Sequence, residues 1–316
     1  MNRLRADLVL LSVALIWGSA FAVQRVAAQS LDTFTFNGLR FMLGGLILLP
    51  FSQFNPWKKR PRLSPGPSQS IKKMVNAPGI DRKSWFFILS AGFVLFAGSA
   101  LQQAGLKYTT AGNAAFLTTL YVVVVPIILV IFMREKIRWI TWLGVAIAIL
   151  GSLLLSTGGT LRLAPGDGLE MLASVMWALD VILVSRAVQH MPVLTFSVGH
   201  YLVAGVFNLL VSFWVASPFA GLGVGWWTIV YIGLLSTAGG YTLQALGQKY
   251  APATDATILL SMEAVFAAAA GFIFLDETML PVQLVGCSLI LAAVVITQLN
   301  ASRSPRPAQF TSNENI

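Results

Sequence analysis

Residues 101–108 read LQQAGLKY, and a closely similar stretch, LQALGQKY, returns at residues 243–250. At this offset of 142 positions, residues 101–144 are identical to their counterparts at thirteen of 44 positions. Nearer the N-terminus, an offset of 160 positions aligns Asp7, Trp17, Thr35, Phe36 and Gly45 with Asp167, Trp177, Thr195, Phe196 and Gly205. The offsets differ by 18 residues, which corresponds to one insertion in the polar stretch near 57–83. The sequence therefore contains two copies of one unit.

Each copy holds five apolar segments of about 20 residues, the length that crosses the hydrocarbon core of a bilayer. They lie at residues 8–27, 33–53, 84–104, 111–132 and 138–157, and again at 168–188, 195–216, 227–247, 254–275 and 281–299. An odd number of spans in each copy predicts that the copies lie inverted relative to each other. The predicted fold class is an all-α membrane protein with ten transmembrane helices in two inverted five-helix repeats.

The composition agrees with a membrane protein. Of the 316 residues, 56% are apolar and 10% are charged, whereas soluble domains carry about 25% charged residues. One cysteine, Cys287, excludes an intramolecular disulfide. The sequence has no paired cysteines, no glycine-rich phosphate loop and no nucleophile with an evident base. It therefore predicts a chain that is not an enzyme, with no cofactor and no metal.

The basic residues are distributed unevenly. The formal net charge is +9, and eight of the 21 Lys and Arg residues lie in the loop 57–83. With the N-terminus inside, seventeen basic residues face the cytoplasm and three face the other side, while Arg40 falls within a span. This bias predicts an N-in, C-in orientation. A basic loop between spans is expected to lie beside anionic lipid head groups, and its position does not indicate that the protein binds nucleic acid.

The domain boundaries follow from the repeat. The first repeat is predicted at residues 1–157 and includes the basic cytoplasmic loop 57–83. The second repeat is predicted at residues 158–300. Residues 301–316 are rich in polar residues and proline, so they are expected to form a disordered cytoplasmic tail.

Several short segments, taken in order, resemble one family. The stretch ALIWGSAF at residues 14–21 resembles the opening signature of the EamA family, in the drug/metabolite transporter superfamily. Further similarity lies in residues 39–41, in Pro126 followed by Glu135, and in residues 259–277. The resemblance implies a central cavity lined mainly by helices 1, 3, 4, 6, 8 and 9, and export of amino acids or related metabolites. Ala264 stands where the family often has proline, which weakens the expectation of a kink in span 9.

Four ionisable side chains fall inside predicted spans: Arg40, Asp180, His200 and Glu263. A charge at mid-span costs about 2.5–3.5 kcal/mol even on the lenient insertion scale, so such residues indicate functional positions. Glu263 aligns with Tyr121 of the first copy. Its carboxylate could bind a substrate ammonium group, carry a proton, or make structural hydrogen bonds to neighbouring helices, and the sequence leaves these alternatives open.

Trp17 and Trp177 occupy matching positions near the middle of spans 1 and 6, away from the interface where tryptophan is usually found. Mid-span tryptophans with polar neighbours predict the wall of a site for a small amphipathic solute, with helix packing as the alternative. The predicted substrate-binding set is Trp17, Trp177, Asp180, Tyr121, Tyr241 and Glu263.

A second set is predicted to form gates or to support the structure: Arg40, His200, Glu135, Glu277, Gln102, Gln244 and Pro126. Arg40 is expected to bond carbonyl groups or a carboxylate near the outer face. Its repeat equivalent, His200, is expected to be structural, with a proton-coupled role as the alternative. Pro126 removes a backbone hydrogen bond and predicts a kink in span 4.

Two pairs of repeat equivalents complete this set. Glu135 and Glu277 precede spans 5 and 10, where a carboxylate would cap the free N–H groups of a helix N-terminus. Gln102 and Gln244 are expected to hydrogen-bond a solute or to cap a gate. Further hydrogen-bonding groups are expected from Gln24, Thr118 and Thr119.

Together these features predict a secondary transporter that exports amino acids or related small metabolites across a bacterial inner membrane by alternating access, as a monomer or a homodimer. Proton coupling through Glu263 or Asp180 stays open, as do the substrate, its direction and the coupling ion. Efflux of cationic drugs is the first alternative. A flippase for lipids or lipid carriers is the second, with Arg25 or Arg40 as its basic groups.

Overall fold

The computed structural model describes residues 1–53, 81–109, 111–158, 164–215, 219–274 and 279–302. Within those ranges, every element of regular secondary structure is a helix. The helices are α1 Arg3–Ser30, α2 Thr33–Gln53, α3 Arg82–Gly105, α4 Ala111–Thr119 with Tyr121–Ile131, α5 Trp139–Thr157, α6 Asp167–His190, α7 Val193–Ser212, α8 Leu222–Gln248, α9 Ala253–Leu260 with Met262–Phe274, and α10 Pro281–Ser302. In the described part of the chain, nine of these are long and apolar enough to cross a membrane, and α9 is a tenth apolar helix in two segments. The chain is a multi-pass membrane protein.

Polar residues mark where several helices begin. Asn2 accepts a hydrogen bond from the backbone N–H of Arg5 at the start of α1 (3.1 Å). Asp32 accepts in the same way from Thr35 at the start of α2 (2.8 Å). Asp81 caps α3, and the hydrogen bond from Ser84 holds the pKa of Asp81 below its usual value. These caps satisfy N–H groups that a helix leaves without an internal partner. Most of the basic loop before Asp81, and the tail after Ser302, lie outside the described residues.

Two helices are interrupted near their middle. Helix α4 breaks at Leu120, and α9 breaks at Ser261. Beside each break a hydroxyl group bonds back to a carbonyl of the preceding turn, from Thr119 to Ala115 and from Ser261 to Ile258, both at 2.7 Å. Such back-bonding bends helices.

The interruption of α4 does not lie at Pro126, where the sequence predicts a kink. The second segment of α4 continues through Pro126, and the interruption lies before it at Leu120. In α9, a break occurs although Ala264 replaces the proline that the family often has. Both interruptions thus lie at a hydroxyl residue or next to one, and neither lies at a proline.

Helix α8 is irregular in its middle third, where residues Ile232–Tyr241 form a π-helix. Gly239 and Gly240 lie in this segment, and glycine lowers the cost of leaving regular α-helical geometry. A Cβ atom on Gly240 would lie 2.7 Å from Nε1 of Trp17, so the missing side chain lets α1 approach closely. π-Helical turns are frequent at functional sites, and this one brings Ser236 and Tyr241 to the central cavity described below.

The contacts between helices α2 and α7 are crosswise, which means that the two residues of one contacting pair are the repeat equivalents of the two residues of another pair. A Cβ atom on Gly45 of α2 would lie 2.8 Å from Leu202 of α7, and one on Gly205 would lie 2.9 Å from Met42. At the offset of 160, Gly45 is equivalent to Gly205 and Met42 to Leu202. From one contacting pair to the next, the residue number increases in α2 and decreases in α7, so the two helices are antiparallel.

Helices α5 and α10 pack through a second close approach. A Cβ atom on Gly151 would lie 2.8 Å from the carbonyl oxygen of Gly286 and 2.9 Å from the amide nitrogen of Ile290. Backbone contact of this kind is typical of membrane helices with small residues at their interface.

We expect Gly151→Ala to lower the unfolding temperature in detergent, because the added methyl group would force two backbones apart at a cost of about 1–3 kcal/mol. The matched control is Gly168→Ala in α6, where a Cβ atom meets nothing within 4 Å. There alanine should be neutral or stabilise the helix by up to about 1 kcal/mol. Equal unfolding temperatures for the two variants would show that the α5–α10 contact does not contribute to stability.

Candidate functional site

A cavity lies between the two halves of the chain and, together with its opening to solvent, contains about 480 Å³ of space free of protein atoms. Its wall is built by α1, α3, α4, α6, α8 and α9, the six helices that the family resemblance implies. All six residues of the predicted substrate-binding set line it: Trp17, Tyr121, Trp177, Asp180, Tyr241 and Glu263. Gln24, Gln102, Thr118 and Gln244 also line it, whereas Thr119 does not. The structure thus brings the set together, and substrate contact by these residues stays a prediction.

Glu263 supplies one of the two carboxylates of the cavity wall. It lies just after the break of α9, and its side chain is buried. Its Oε1 atom has no hydrogen-bond partner among the described residues. Tyr121, its repeat equivalent in α4, is in electrostatic contact with it, although the Tyr121 hydroxyl group forms no hydrogen bond of normal geometry. Since a buried carboxylate oxygen without a partner is costly, Glu263 is suited to bind a donor that enters the cavity.

Asp180 supplies the second carboxylate. Its Oδ1 atom lies 2.9 Å from Nε2 of His200, and the two side chains are 1% and 2% exposed. Its Oδ2 atom has no partner among the described residues. His200 in turn stacks on the ring of Phe196 (5.0 Å between centroids). His200 therefore holds one oxygen of Asp180 from behind the wall and leaves the other oxygen for a solute.

Arg40 lies behind another part of the wall and is almost fully buried. Its Nη1 atom donates to Oε1 of Gln24, which lines the cavity, at 3.2 Å. Its guanidinium group also lies over the rings of Phe36 (5.1 Å) and Phe41 (4.6 Å). The bond to Gln24 agrees with the predicted bond to a carbonyl group, here the carbonyl of a side-chain amide, and two aromatic rings complete the surroundings of Arg40. The Nε and Nη2 atoms have no partner in the described part of the chain.

Three aromatic rings form one side of the cavity. The ring of Tyr241 lies 4.9 Å from Trp17 and 6.1 Å from Trp177, measured between centroids. The Nε1–H groups of both tryptophans have no hydrogen-bond acceptor among the described residues. The faces of such rings attract cations, and the free N–H groups can donate to an anionic or carbonyl oxygen.

Four lining residues were not singled out from the sequence: Phe21, Val181, Ser236 and Leu260. Three of them are apolar, and apolar residues in membrane helices give no sign of which way they face. Ser236 faces the cavity because of the π-helix, which the sequence did not predict. Glu170 was also missed. An acidic residue near the start of a span is usual at a helix N-terminus, yet the side chain of Glu170 is completely buried.

Glu135 does not cap α5, so that prediction is wrong. Helix α5 begins at Trp139, and its N-cap residue is Arg138 rather than Glu135. Glu135 instead forms an ion pair with Arg186 near the end of α6, and both side chains are nearly half exposed. The repeat equivalent Glu277 lies outside the described residues.

We expect Glu135→Gln to change the free energy of unfolding by less than about 1 kcal/mol, because exposed ion pairs contribute little. Transport should be retained, since Glu135 does not line the cavity. Arg186→Gln is the matched variant and should give the same small change. A loss of transport in Glu135→Gln at normal expression would show that this ion pair acts in the transport cycle.

Among the described residues, no group of three or more His, Cys, Asp or Glu side chains is placed to hold a metal ion. A membrane-embedded cavity between two halves of a helical bundle, lined by ionisable and aromatic side chains, is typical of a transporter. The family model described as the EamA-like transporter family matches residues 4–157 and 164–299. The chain belongs to this family.

Individual relatives agree with this family. An uncharacterized transporter from Archaeoglobus fulgidus is 32% identical over 307 residues, which cover 95% of this chain and 87% of the relative. The threonine/homoserine exporter RhtA of Escherichia coli K12 is 27% identical over 286 residues, or 88% of this chain and 85% of RhtA. The uncharacterized inner membrane transporter YedA of the same strain is 28% identical over 67% of this chain and 61% of YedA.

The fold also has a solved counterpart. A protein crystal structure superimposes with a TM-score of 0.73 over 96% of this chain and 99% of the other chain. The sequence identity is 16%. At this identity the likeness concerns the fold alone.

Proposed function

We propose that the chain is a secondary transporter that exports amino acids or related small metabolites across the inner membrane by alternating access. The observation that carries the proposal is the central cavity, whose two buried carboxylates each have one oxygen without a partner in the described part of the chain. The relation to a threonine/homoserine exporter over most of both chains supports the substrate class.

The chemistry of the wall suits a small zwitterion. The Oδ2 atom of Asp180 and the Oε1 atom of Glu263 can accept hydrogen bonds from an ammonium group. The free Nε1–H groups of Trp17 and Trp177 can donate to a carboxylate. Arg40 adds a positive charge behind Gln24. Both signs of charge thus lie close to one small cavity, so a solute that carries both is favoured.

The crosswise contacts support two inverted repeats, at residues 1–157 and 158–300. Helices α2 and α7 are equivalent, adjacent and antiparallel. A two-fold axis that relates two adjacent antiparallel helices must run across them, which places it in the plane of the membrane. The distribution of basic residues supports the N-in, C-in orientation. Reporter fusions at the two termini, fluorescent only in the cytoplasm, test this orientation.

Polar contacts at the two ends of the bundle are suited to act as gates. At the cytoplasmic end of the proposed orientation, Arg3 bonds Asp7 of α1 (2.8 Å) and Asp255 of α9 (2.9 Å). At the outer end, the Thr109 hydroxyl group donates to Asp167 of α6 (2.5 Å). Asp7 and Asp167 are repeat equivalents. Alternating access requires that the contacts at one end open while those at the other stay closed.

Export of organic cations is a second candidate, favoured by the three aromatic rings beside two carboxylates. This arrangement can bind an ammonium group whether or not the solute carries a carboxylate. The flippase alternative has less support, because Arg40 is buried against aromatic rings and Arg25 donates to the carbonyl oxygen of Thr109.

The test is uptake of radiolabelled amino acids, L-threonine first, into proteoliposomes with and without a pH gradient. Saturable flux of an amino acid supports the proposal, whereas flux that rises linearly with concentration counts against a binding site. A cationic dye and a fluorescent lipid serve as parallel probes. Saturable flux of the dye alone would favour the second candidate, and movement of the lipid alone would favour the flippase.

A further inference from the structure

Glu170 is a third buried carboxylate, near the outer end of α6. Its side chain has no exposed surface. Its Oε2 atom lies 3.4 Å from the Thr118 hydroxyl group of α4, and its Oε1 atom has no partner among the described residues. A Cβ atom on Gly105 of α3 would lie 2.7 Å from Oε1, so the carboxylate occupies space that a glycine leaves open. A buried carboxylate in membrane helices, with one oxygen unpartnered among the described residues, is costly and indicates a function.

Polar groups connect Glu170 with the cavity. The Thr118 hydroxyl group, which is near Glu170, accepts a hydrogen bond from Nε2 of Gln102 at 3.0 Å. Thr118 and Gln102 both line the cavity. In the outward direction, Asp167 lies one turn before Glu170 and is in electrostatic contact with it. Asp167 accepts from Thr109 at the outer end of the bundle. A series of polar side chains thus runs from the outer end to the cavity, and three of them, Asp167, Glu170 and Thr118, can bind or pass a proton.

The cytoplasmic side of the molecule has leucine at the positions equivalent to two members of this polar series. The repeat equivalent of Glu170 is Leu10, and that of Thr118 is Leu260. Both leucines are completely buried. The scaffold therefore accommodates an apolar residue at these positions, and packing does not require a carboxylate. In the proposed orientation, Glu170 and Thr118 lie toward the outer side of the membrane, and the two leucines lie at the equivalent positions toward the cytoplasmic side.

We propose that Glu170 is the binding site of a coupling proton, which enters from the outer side and reaches the cavity through Thr118. This inference rests on the proposed export function and makes it a solute/proton antiport. The incoming proton binds to a carboxylate oxygen of Glu170. It leaves toward the cytoplasm through the cavity in the same cycle that carries the solute outward, so one proton enters for each solute released.

The surroundings favour a proton over a metal cation. Thr118 is the hydroxyl group near Glu170, whereas Na⁺ or Ca²⁺ would need several oxygen ligands. Asp167 is the titratable group that acts on Glu170 electrostatically. Arg25 and Lys107 belong to the same outer region, and neither forms an ion pair with Glu170 among the described residues. Arg162 lies outside the described residues.

Transport in proteoliposomes tests the proposal with two L-threonine assays. One measures uptake driven by a pH gradient, and the other measures exchange between labelled and unlabelled threonine without a gradient. In Glu170→Gln, the ratio of driven uptake to exchange should fall at least about tenfold, because the variant cannot bind the coupling proton. Glu170→Leu introduces the residue that stands at the equivalent position, Leu10, and should give the same loss. Glu135→Gln, an exposed carboxylate variant, is the matched control and should keep the native ratio.

Infrared spectroscopy of the detergent-solubilised chain supplies a readout that does not depend on transport. The band of a neutral carboxylic acid should appear as the pH is lowered, and Glu170→Gln should lack one component of it. An unchanged band in Glu170→Gln would overturn the proposal. Uptake driven by a Na⁺ gradient instead of a pH gradient would overturn it as well.

Different results would contradict the proton site at Glu170 and the proposed export function. A native chain that exchanges threonine but ignores a pH gradient overturns the proton site and keeps the transporter. A native chain that exchanges neither threonine nor any other amino acid contradicts the proposed substrate class. The infrared titration of Glu170 still decides whether this residue binds a proton.

Discussion

Replacing Glu263 by glutamine is expected to lower L-threonine exchange by about ten- to a hundredfold while the protein stays folded. A hydrogen bond to a charged group contributes about 1.5–3 kcal/mol, and each 1.4 kcal/mol corresponds to a factor of ten. Glutamine keeps the shape of the side chain and removes the charge that would pair with an ammonium group. The measurement is exchange of labelled threonine in proteoliposomes at matched protein density.

Stability separates this result from simple misfolding. Glu263 is buried and one of its oxygens has no partner among the described residues, so its charge is unfavourable in the empty protein. The unfolding temperature of Glu263→Gln should therefore equal or exceed that of the native chain. A variant that gains stability and loses transport is the pattern of a functional site.

Two variants serve as controls for Glu263→Gln. Tyr121→Phe removes the hydroxyl group in electrostatic contact with Glu263 but changes no charge at neutral pH, so it should have a smaller effect. Glu135→Gln removes an exposed carboxylate and should have almost none. Full exchange by Glu263→Gln would assign Glu263 to the scaffold and leave Asp180 as the carboxylate that binds solute.

Helix positions followed well from the sequence, because a run of about 20 apolar residues has one stable arrangement in a bilayer. The cavity residues followed from the repeat and from the cost of burying polar groups: Trp17, Trp177, Asp180 and Glu263 all line the cavity. Their lateral arrangement did not follow. The partner of a buried side chain depends on how neighbouring helices are rotated, and the hydrophobicity of a span carries little information about rotation.

The wrong and missed predictions have this same origin. For Arg40 the sequence missed the partner residue: Arg40 bonds the side-chain carbonyl of Gln24 because α1 and α2 present these residues to each other. Glu135 cannot cap α5, because that helix begins several residues later, at Trp139. Glu170 could have been found: the offset of 160 aligns it with Leu10, and an acid opposite a leucine is a detectable asymmetry.

The buried pair of Asp180 and His200 should produce the largest effect on stability. Asp180→Leu is expected to lower the free energy of unfolding by about 3–5 kcal/mol, because it leaves His200 without its partner in an apolar environment. His200→Leu should be similarly damaging, since it removes the donor to Oδ1 of Asp180. Denaturant titrations of the detergent-solubilised protein measure both.

The double variant tests whether the two residues act as a pair. Asp180→Leu with His200→Leu should cost less than the sum of the single changes, with an interaction energy of up to about 3 kcal/mol. Tyr201→Phe provides the matched control, because Tyr201 is the next residue of α7 and its hydroxyl group makes a neutral contact with Thr242 at 3.0 Å. Its loss should cost about 1 kcal/mol. Strictly additive effects of the two leucine changes would show that the pair is not coupled.

Asp180→Asn distinguishes the structural role of Asp180 from a role in solute binding. The asparagine Oδ1 atom can still accept a hydrogen bond from Nε2 of His200, so most of the stability should remain. The charge at Oδ2, the atom without a partner among the described residues, is lost. If Oδ2 binds an ammonium group, threonine exchange should fall about tenfold or more although the fold is retained. Normal exchange in Asp180→Asn would limit Asp180 to anchoring His200 and leave Glu263 as the carboxylate that binds the solute.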